Sequence, residues 1–221
     1  MFALQAIQRR QMAKLSPLLR RTYTVLAANP HIKAYRLATL PPSYLLSYLD
    51  TSTPSAVTAI GTTTELPPTP RSFQGNERFM EVLNDVLRKY ASQDDYLRAQ
   101  AVAFASPGGA LFGNQGSGNG GTGGASYQGG SGGGGVGGWV HLSDARNPPD
   151  FGRIAWPEDI FGSVEVDSSG NLLDNFQVSG SYRILTNEGI LGLSDFLREK
   201  LIQRLQEEDK NDTSDRPHIL E

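Results

Sequence analysis

The chain reads as an α+β protein in which a small α/β N-terminal unit, a glycine-rich linker and a C-terminal antiparallel sheet with a covering C-terminal helix follow one another. Three observations predict this. Strand-like runs cluster between Trp139 and Thr186, with an amphipathic helix only after them. A helix-periodic stretch at 77–91 follows short apolar runs in the first half. Between the two, residues 106–138 hold 17 glycines and no charge.

The 221 residues carry 20 Lys+Arg, 23 Asp+Glu and no cysteine. Without sulfur ligands the chain forms no disulfide, no thiolate zinc site and no cysteine-ligated cluster, and it offers no cysteine nucleophile. No uninterrupted run of about 18 apolar residues is present, so no transmembrane segment is expected.

Residues 1–23 contain Arg9, Arg10, Lys14, Arg20 and Arg21 and no acid, with Phe2, Leu4 and Ile7 spaced among polar residues. An arginine-rich, acid-free amphipathic helix is the composition of a mitochondrial transit peptide. Its apolar face suits an import receptor, and its positive charge responds to a negative matrix potential. Arg20-Arg21-Thr22-Tyr23 resembles fungal matrix-processing sites, with a cut after Thr22 and trimming of Tyr23 as the expected outcome.

Residues 30–105 form the expected small α/β domain. The alternation of His31–Leu37 predicts a strand. Pro41-Pro42 is then expected to open a short helix through Tyr44, Leu45, Leu46, Tyr48 and Leu49, since proline is tolerated in a first turn. Ala56–Gly61 reads as a buried strand, giving a β-α-β start, and Leu66–Pro70 as an extended loop. Phe79, Val82, Leu83, Val86, Leu87 and Tyr90 recur at helical spacing and define a buried face over 77–91, and a second helix is expected over 96–104. A core of about 75 residues is small enough to need outside support.

Residues 106–138 cannot bury enough apolar surface to offset backbone entropy, so they are expected to be a disordered linker between two folded pieces. GxGxxG matches within the tract lack the flanking strand and helix that phosphate binding requires.

In the expected α+β domain, 139–209, strands are predicted at Trp139–Leu142, Gly162–Asp167, Leu172–Val178 and Ser181–Thr186, with a turn at Ser168–Asn171. Ser194 is placed to cap a last helix, with Asp195 near its positive end and Phe196, Leu197, Leu201, Ile202 and Leu205 as the stripe that covers the sheet. Arg198, Lys200 and Arg204 are expected to pair with Glu199, Glu207 and Glu208. Residues 210–221 read as a disordered tail. Over 139–209 there are six basic and thirteen acidic residues, an excess that repels nucleic acid backbones.

The loop over 143–162 stands out, with two charged clusters, prolines at 148, 149 and 157, and the rings of Phe151, Trp156 and Phe161. Prolines limit its freedom and the rings can dock it on the domain, so it is expected to present fixed groups for recognition: Arg146, Phe151, Arg153, Trp156, Glu158 and Asp159. The competing expectation is that the rings only enlarge the core while the charges face water. His141, Ser143 and Asp144 invite a hydrolase reading, but a triad is defined by converging geometry that local spacing does not supply. His141, Asp144, Asp150, Glu158 and Asp159 lack any metal-binding spacing, so neither a metal nor another cofactor is expected. Gly189–Ser194 leads into a helix N-terminus of the kind that holds anions.

The segments WVHLSDARNPPDFGRIAWPEDIFGSVEVD and SGSYRILTNEGILGLSDFLREKL, and more weakly SAVTAIGTTTELPPTP, resemble a family of filamentous-fungal mitochondrial proteins. The resemblance implies a fungal, mitochondrial protein and carries no catalytic residue to this chain. Together these readings lead to the expectation of a protein of the matrix, or of the matrix face of the inner membrane, that acts by binding another mitochondrial protein. The alternatives are a small enzyme or ligand binder using His141, Asp144, Arg153 and Glu158, and a peripheral factor of the mitochondrial ribosome.

Overall fold

The computed structural model describes residues 23–38, 41–52, 54–105, 137–150 and 153–215. Residues 1–22 of the expected leader, with Arg20, Arg21 and Thr22, lie outside the described residues, as do most of the glycine tract, Phe151 and residues 216–221, whereas Tyr23, the last leader residue and part of the expected processing site, is the first residue of a strand paired with Tyr35.

The fold is α+β. Strands β1 (Tyr23–Val25), β2 (Lys33–Leu37), β3 (Ser43–Ser47), β4 (Gly61–Thr63) and β5 (Phe73–Gly75) make a five-stranded antiparallel meander in sequence order. Helices α1 (Glu77–Tyr90) and α2 (Asp95–Ala105) follow. After the glycine tract come β6 (Gly138–Ser143), β7 (Ile160–Val166) and β8 (Gln177–Val178), which form a three-stranded sheet. A two-stranded ribbon, β9 (Leu185–Thr186) and β10 (Gly189–Ile190), leads into α3 (Asp195–Asp215).

The first sheet corrects two sequence expectations. Tyr44–Leu49 is not a helix: the stretch contains β3, paired with β2 in the register Tyr35↔Leu45. Leu46 enters the main core while its neighbour Leu45 packs with Tyr35 and Ala59 on the other face. A strand buried on both faces loses period-two alternation, and a short continuous apolar run is ambiguous with a helix. Ala56–Gly61 is not a strand either; residues 56–58 form a turn and β4 starts only at Gly61. The Asn76 side chain donates to the carbonyls of Ala56, Val57 and Ala59 at 3.0, 3.0 and 2.7 Å, so a side chain satisfies groups that a strand partner would have taken. The same residue caps α1 by accepting from the Arg78 amide at 3.0 Å. The start of the chain is thus an antiparallel meander and not β-α-β.

In the second half β8 is limited to Gln177–Val178, with a lone bridge between Val166 and Leu172. Of the strand expected over Ser181–Thr186 only Leu185–Thr186 forms, and it pairs with β10 and does not extend the meander. The turn after β7 is as expected: Asp167 accepts from the amides of Ser169 and Asn171, and Gly170 adopts φ +86° against the backbone of α2. Helix α3 buries Leu197, Leu201 and Leu205 with Phe196 and Ile202 beside them, and runs to Asp215, beyond the expected end at 209. Its principal neighbour is α1, so the last helix covers a helix more than a sheet.

The two halves share one core. Ile32, Leu46, Phe79 and Leu87 from before the tract belong to the same buried cluster as Val164, Leu191, Leu197 and Leu201 from after it. Polar bonds fasten the seam. Asp94 caps α2 through the amides of Tyr96 and Leu97 and accepts from the Ser194 hydroxyl, which itself caps α3 through the Leu197 amide. Asn29 donates to the Leu191 carbonyl at 2.8 Å, and Arg78 reaches Glu208 on α3 at 3.0 Å. The tract leaves from the end of α2 and returns at β6, where the Phe104 ring packs so closely on Gly138 that a Cβ there would meet it at 2.5 Å. The outside support that the small first core requires therefore comes from residues 137–215.

Candidate functional site

The loop joining β6 to β7 is closed at its base by the Asp144 amide, which donates to the Asp159 carbonyl at 2.7 Å. Inside that closure lies Arg146, whose side chain is 3% exposed, flanked by Asp144 at 0% and Asp159 at 1%. Its Nε donates to Asp159 Oδ1 at 2.8 Å, Nη1 to the Ile184 carbonyl at 2.9 Å and Nη2 to the Glu158 carbonyl at 2.9 Å. Asp159 also accepts from Asn147 at 3.1 Å.

Asp144 is held from the far side. Its Oδ1 accepts the amides of Arg146 at 2.9 Å and Gly192 at 2.8 Å, and its Oδ2 accepts the Tyr182 hydroxyl at 2.8 Å. The Tyr182 ring stacks on Phe161 at 4.5 Å and lies under the Arg146 guanidinium at 5.4 Å. A Cβ on Gly192 would sit 2.8 Å from the Arg146 nitrogen, which is why this position is glycine. The anion that the Gly189–Ser194 segment holds is thus the chain's own Asp144.

The cluster carries two buried carboxylates against one guanidinium. Burial pushes the Asp144 carboxyl up to about 6, opposed by the Arg146 charge and the three donors. Burial, with the Asp144 charge beside it, likewise raises the Tyr182 phenol well above its ordinary value. No buried side-chain polar atom among the described residues lacks a hydrogen-bond partner, so this constellation is a filled lock. A lock of this kind gives specificity of conformation more than stability.

What the lock fixes is the outer rim. Ala155 is buried and pins the strand-like segment before Pro157, which opens a single 3-10 turn, Pro157–Asp159. On either side of Ala155 the chain turns Ile154 and Trp156 outward, 49% and 71% exposed. Arg153 and Glu158 are exposed beside them. The backbone of residues 181–183 runs along this rim, with Ser181 Oγ donating to the Pro157 carbonyl at 2.8 Å and the Arg183 amide to the Glu158 carbonyl at 3.1 Å.

The six residues singled out in the sequence therefore divide. Arg146 and Asp159 are internal; Arg153, Trp156 and Glu158 share the surface; Phe151 lies outside the described residues. His141, Asp144, Arg153 and Glu158 are not brought together: His141 bonds Ser163 on the neighbouring strand at 2.7 Å, Asp144 faces inward, and the other two face solvent. Burial lowers the His141 pKa. Among the described residues no group of three or more His, Asp and Glu side chains is placed to hold a metal, and no helix is long and apolar enough to cross a membrane. Tyr182 and Gly192 escaped sequence reasoning because they lie 38 and 48 residues from Asp144 and carry no local signal of pairing. Compared with protein-family models, curated proteins and solved structures, the chain gives no match.

Proposed function

We propose that this protein is a mitochondrial accessory or assembly factor, working in the matrix or at the matrix face of the inner membrane, that binds another protein through the loop over 143–162. The observation that carries the reading is Trp156, a large ring 71% exposed on a segment whose backbone is held by a buried, fully bonded arginine. Exposing an indole forfeits about 1.5–3 kcal/mol of burial, a loss that is recovered when a partner covers it. Tryptophan and arginine dominate the energetic centres of protein interfaces, and a preformed loop lowers the ordering cost of docking. The acid-free, arginine-rich composition of residues 1–23 supports the mitochondrial address.

The test is affinity capture from mitochondria with the full chain and with a Trp156→Ala, Arg153→Ala variant of unchanged circular dichroism. Proteins retained by the first and lost by the second are the expected result. An identical set on both baits overturns the assignment of the loop.

A further inference from the structure

The three residues of β1 are held unequally. Tyr23 is half-buried, whereas Thr24 and Val25 are exposed. The Tyr23 ring lies 5.3 Å from the Tyr35 ring, its hydroxyl donates to Asp50 Oδ2 at 3.1 Å, and the Lys33 ammonium stands 5.7 Å from its centre. Its backbone pairs with Tyr35, and its side chain packs with Leu37 against Tyr35, Leu45 and Ala59, the second apolar cluster of the sheet. Cross-strand aromatic pairs are among the stabilising units of a sheet, so most of what fastens this edge strand resides in its first residue.

We propose that the processed chain begins at Tyr23 and that the fold itself ends the processing there, where the sequence alone predicts trimming to Thr24. The inference rests on the reading of a mitochondrial leader and adds the point at which its removal stops. The step is hydrolysis of the Thr22–Tyr23 amide by a matrix endopeptidase: water adds across the C–N bond, Thr22 leaves as a carboxylate and Tyr23 becomes an N-terminal ammonium. An exopeptidase that removes a bulky first residue must take its side chain into a pocket and hold the chain beside it extended and unpaired. In the fold the Tyr23 ring is already engaged by Tyr35, Asp50 and Lys33, and the backbone by β2. Trimming therefore requires β1 to detach, and it slows in proportion to the fraction of molecules in which β1 stays paired. Loss of Tyr23 would also uncover Tyr35 and Leu45, each 3% exposed with it in place.

The first residue of the protein purified from the cells that make it, identified by mass spectrometry of its amine-labelled N-terminal peptide, is expected to be Tyr23. Thr24 or any later residue in first place overturns the proposal and leaves the mitochondrial reading standing. A chain that still starts at Met1 overturns that reading and the proposal with it. The same purified protein is then exposed to an aminopeptidase of broad specificity, beside a peptide of residues 23–28 that has no fold to hold it. Release of tyrosine from the protein is expected to be at least about tenfold slower than from the peptide, and about fivefold faster from Asp50→Ala than from wild type, the effect of one hydrogen bond. Release at the peptide's rate, or at a single rate from wild type and Asp50→Ala, overturns the fold as what ends the processing.

Discussion

Among the described residues of 23–105 the buried polar groups are Asn29, Ser47, Ser55, Thr58, Thr63 and one charged side chain, Asp94, which sits at a helix N-terminus. In residues 137–215 a single short loop buries Asp144, Arg146 and Asp159 side by side. The first half is organised by apolar contact, with Phe79, Leu83 and Leu87 of α1 closing over Ile32 and Leu46 of the sheet. The second has a smaller sheet and fixes its most unusual loop by charge. Apolar packing tolerates small displacements, whereas a guanidinium that must meet two carboxylates and two carbonyls admits one arrangement of the backbone around it. The contrast teaches that the loop's shape is specified by polar contacts added to the core beneath it, which suits a surface whose task is presentation.

The contrast can be broken most severely at Arg146. Arg146→Met removes the cation and leaves two carboxylates in a dry site, with an expected loss of about 3–5 kcal/mol in urea unfolding. The apolar half answers with Leu87→Ala, expected to cost about 2–5 kcal/mol through the cavity it leaves. A far smaller loss at Arg146 than at Leu87 would show that water reaches the lock.

Proton linkage sharpens the point. The Asp144 carboxyl rises from 3.8 in the unfolded chain to about 6 in the fold, so between those values the native state binds more protons than the unfolded state. Its contribution to stability is therefore full at low pH, falls by about 1.4 kcal/mol per pH unit across that window and levels off above it. Asp167 and Glu208, whose pKa values are lowered by hydrogen bonds from Asn171 and Arg78 respectively, slope the opposite way. The measurement is consequently the difference between wild type and Asp144→Asn, followed through urea midpoints from about pH 4 to pH 7. A difference independent of pH would sink the assignment.

At the seam between the halves, Ser194→Ala removes both the cap of α3 and the bond to Asp94, for an expected loss of about 1–2 kcal/mol by thermal unfolding. The smallest effect belongs to Trp156→Ala, which should change stability by less than about 0.5 kcal/mol while it weakens partner capture. A large destabilisation there would make the ring a structural member and not a docking one.

Helices α1 and α3, the Ser194 cap and the turn at Asp167–Asn171 were legible in the sequence, because each depends on spacings of a few residues. Strand β3 was not, since burial on both faces erased its alternation. In the candidate site the exposed trio Arg153, Trp156 and Glu158 was legible as a stiff, ring-bearing loop, but Arg146 and Asp159 could not be separated from it by any local rule.

By itself the sequence determined the α+β class, the periodic helices and the position of the unusual loop, for these follow from the chain's short-range repeat of apolar and polar groups. Only the tertiary structure decided that the segments on either side of the glycine tract complete one core, and that of two arginines seven residues apart Arg146 is enclosed and Arg153 is free. The physical reason is that exclusion of water is a collective property: Arg146 is dry because Tyr182, Ile184 and Gly192 arrive from distant positions to surround it and its carboxylate partners.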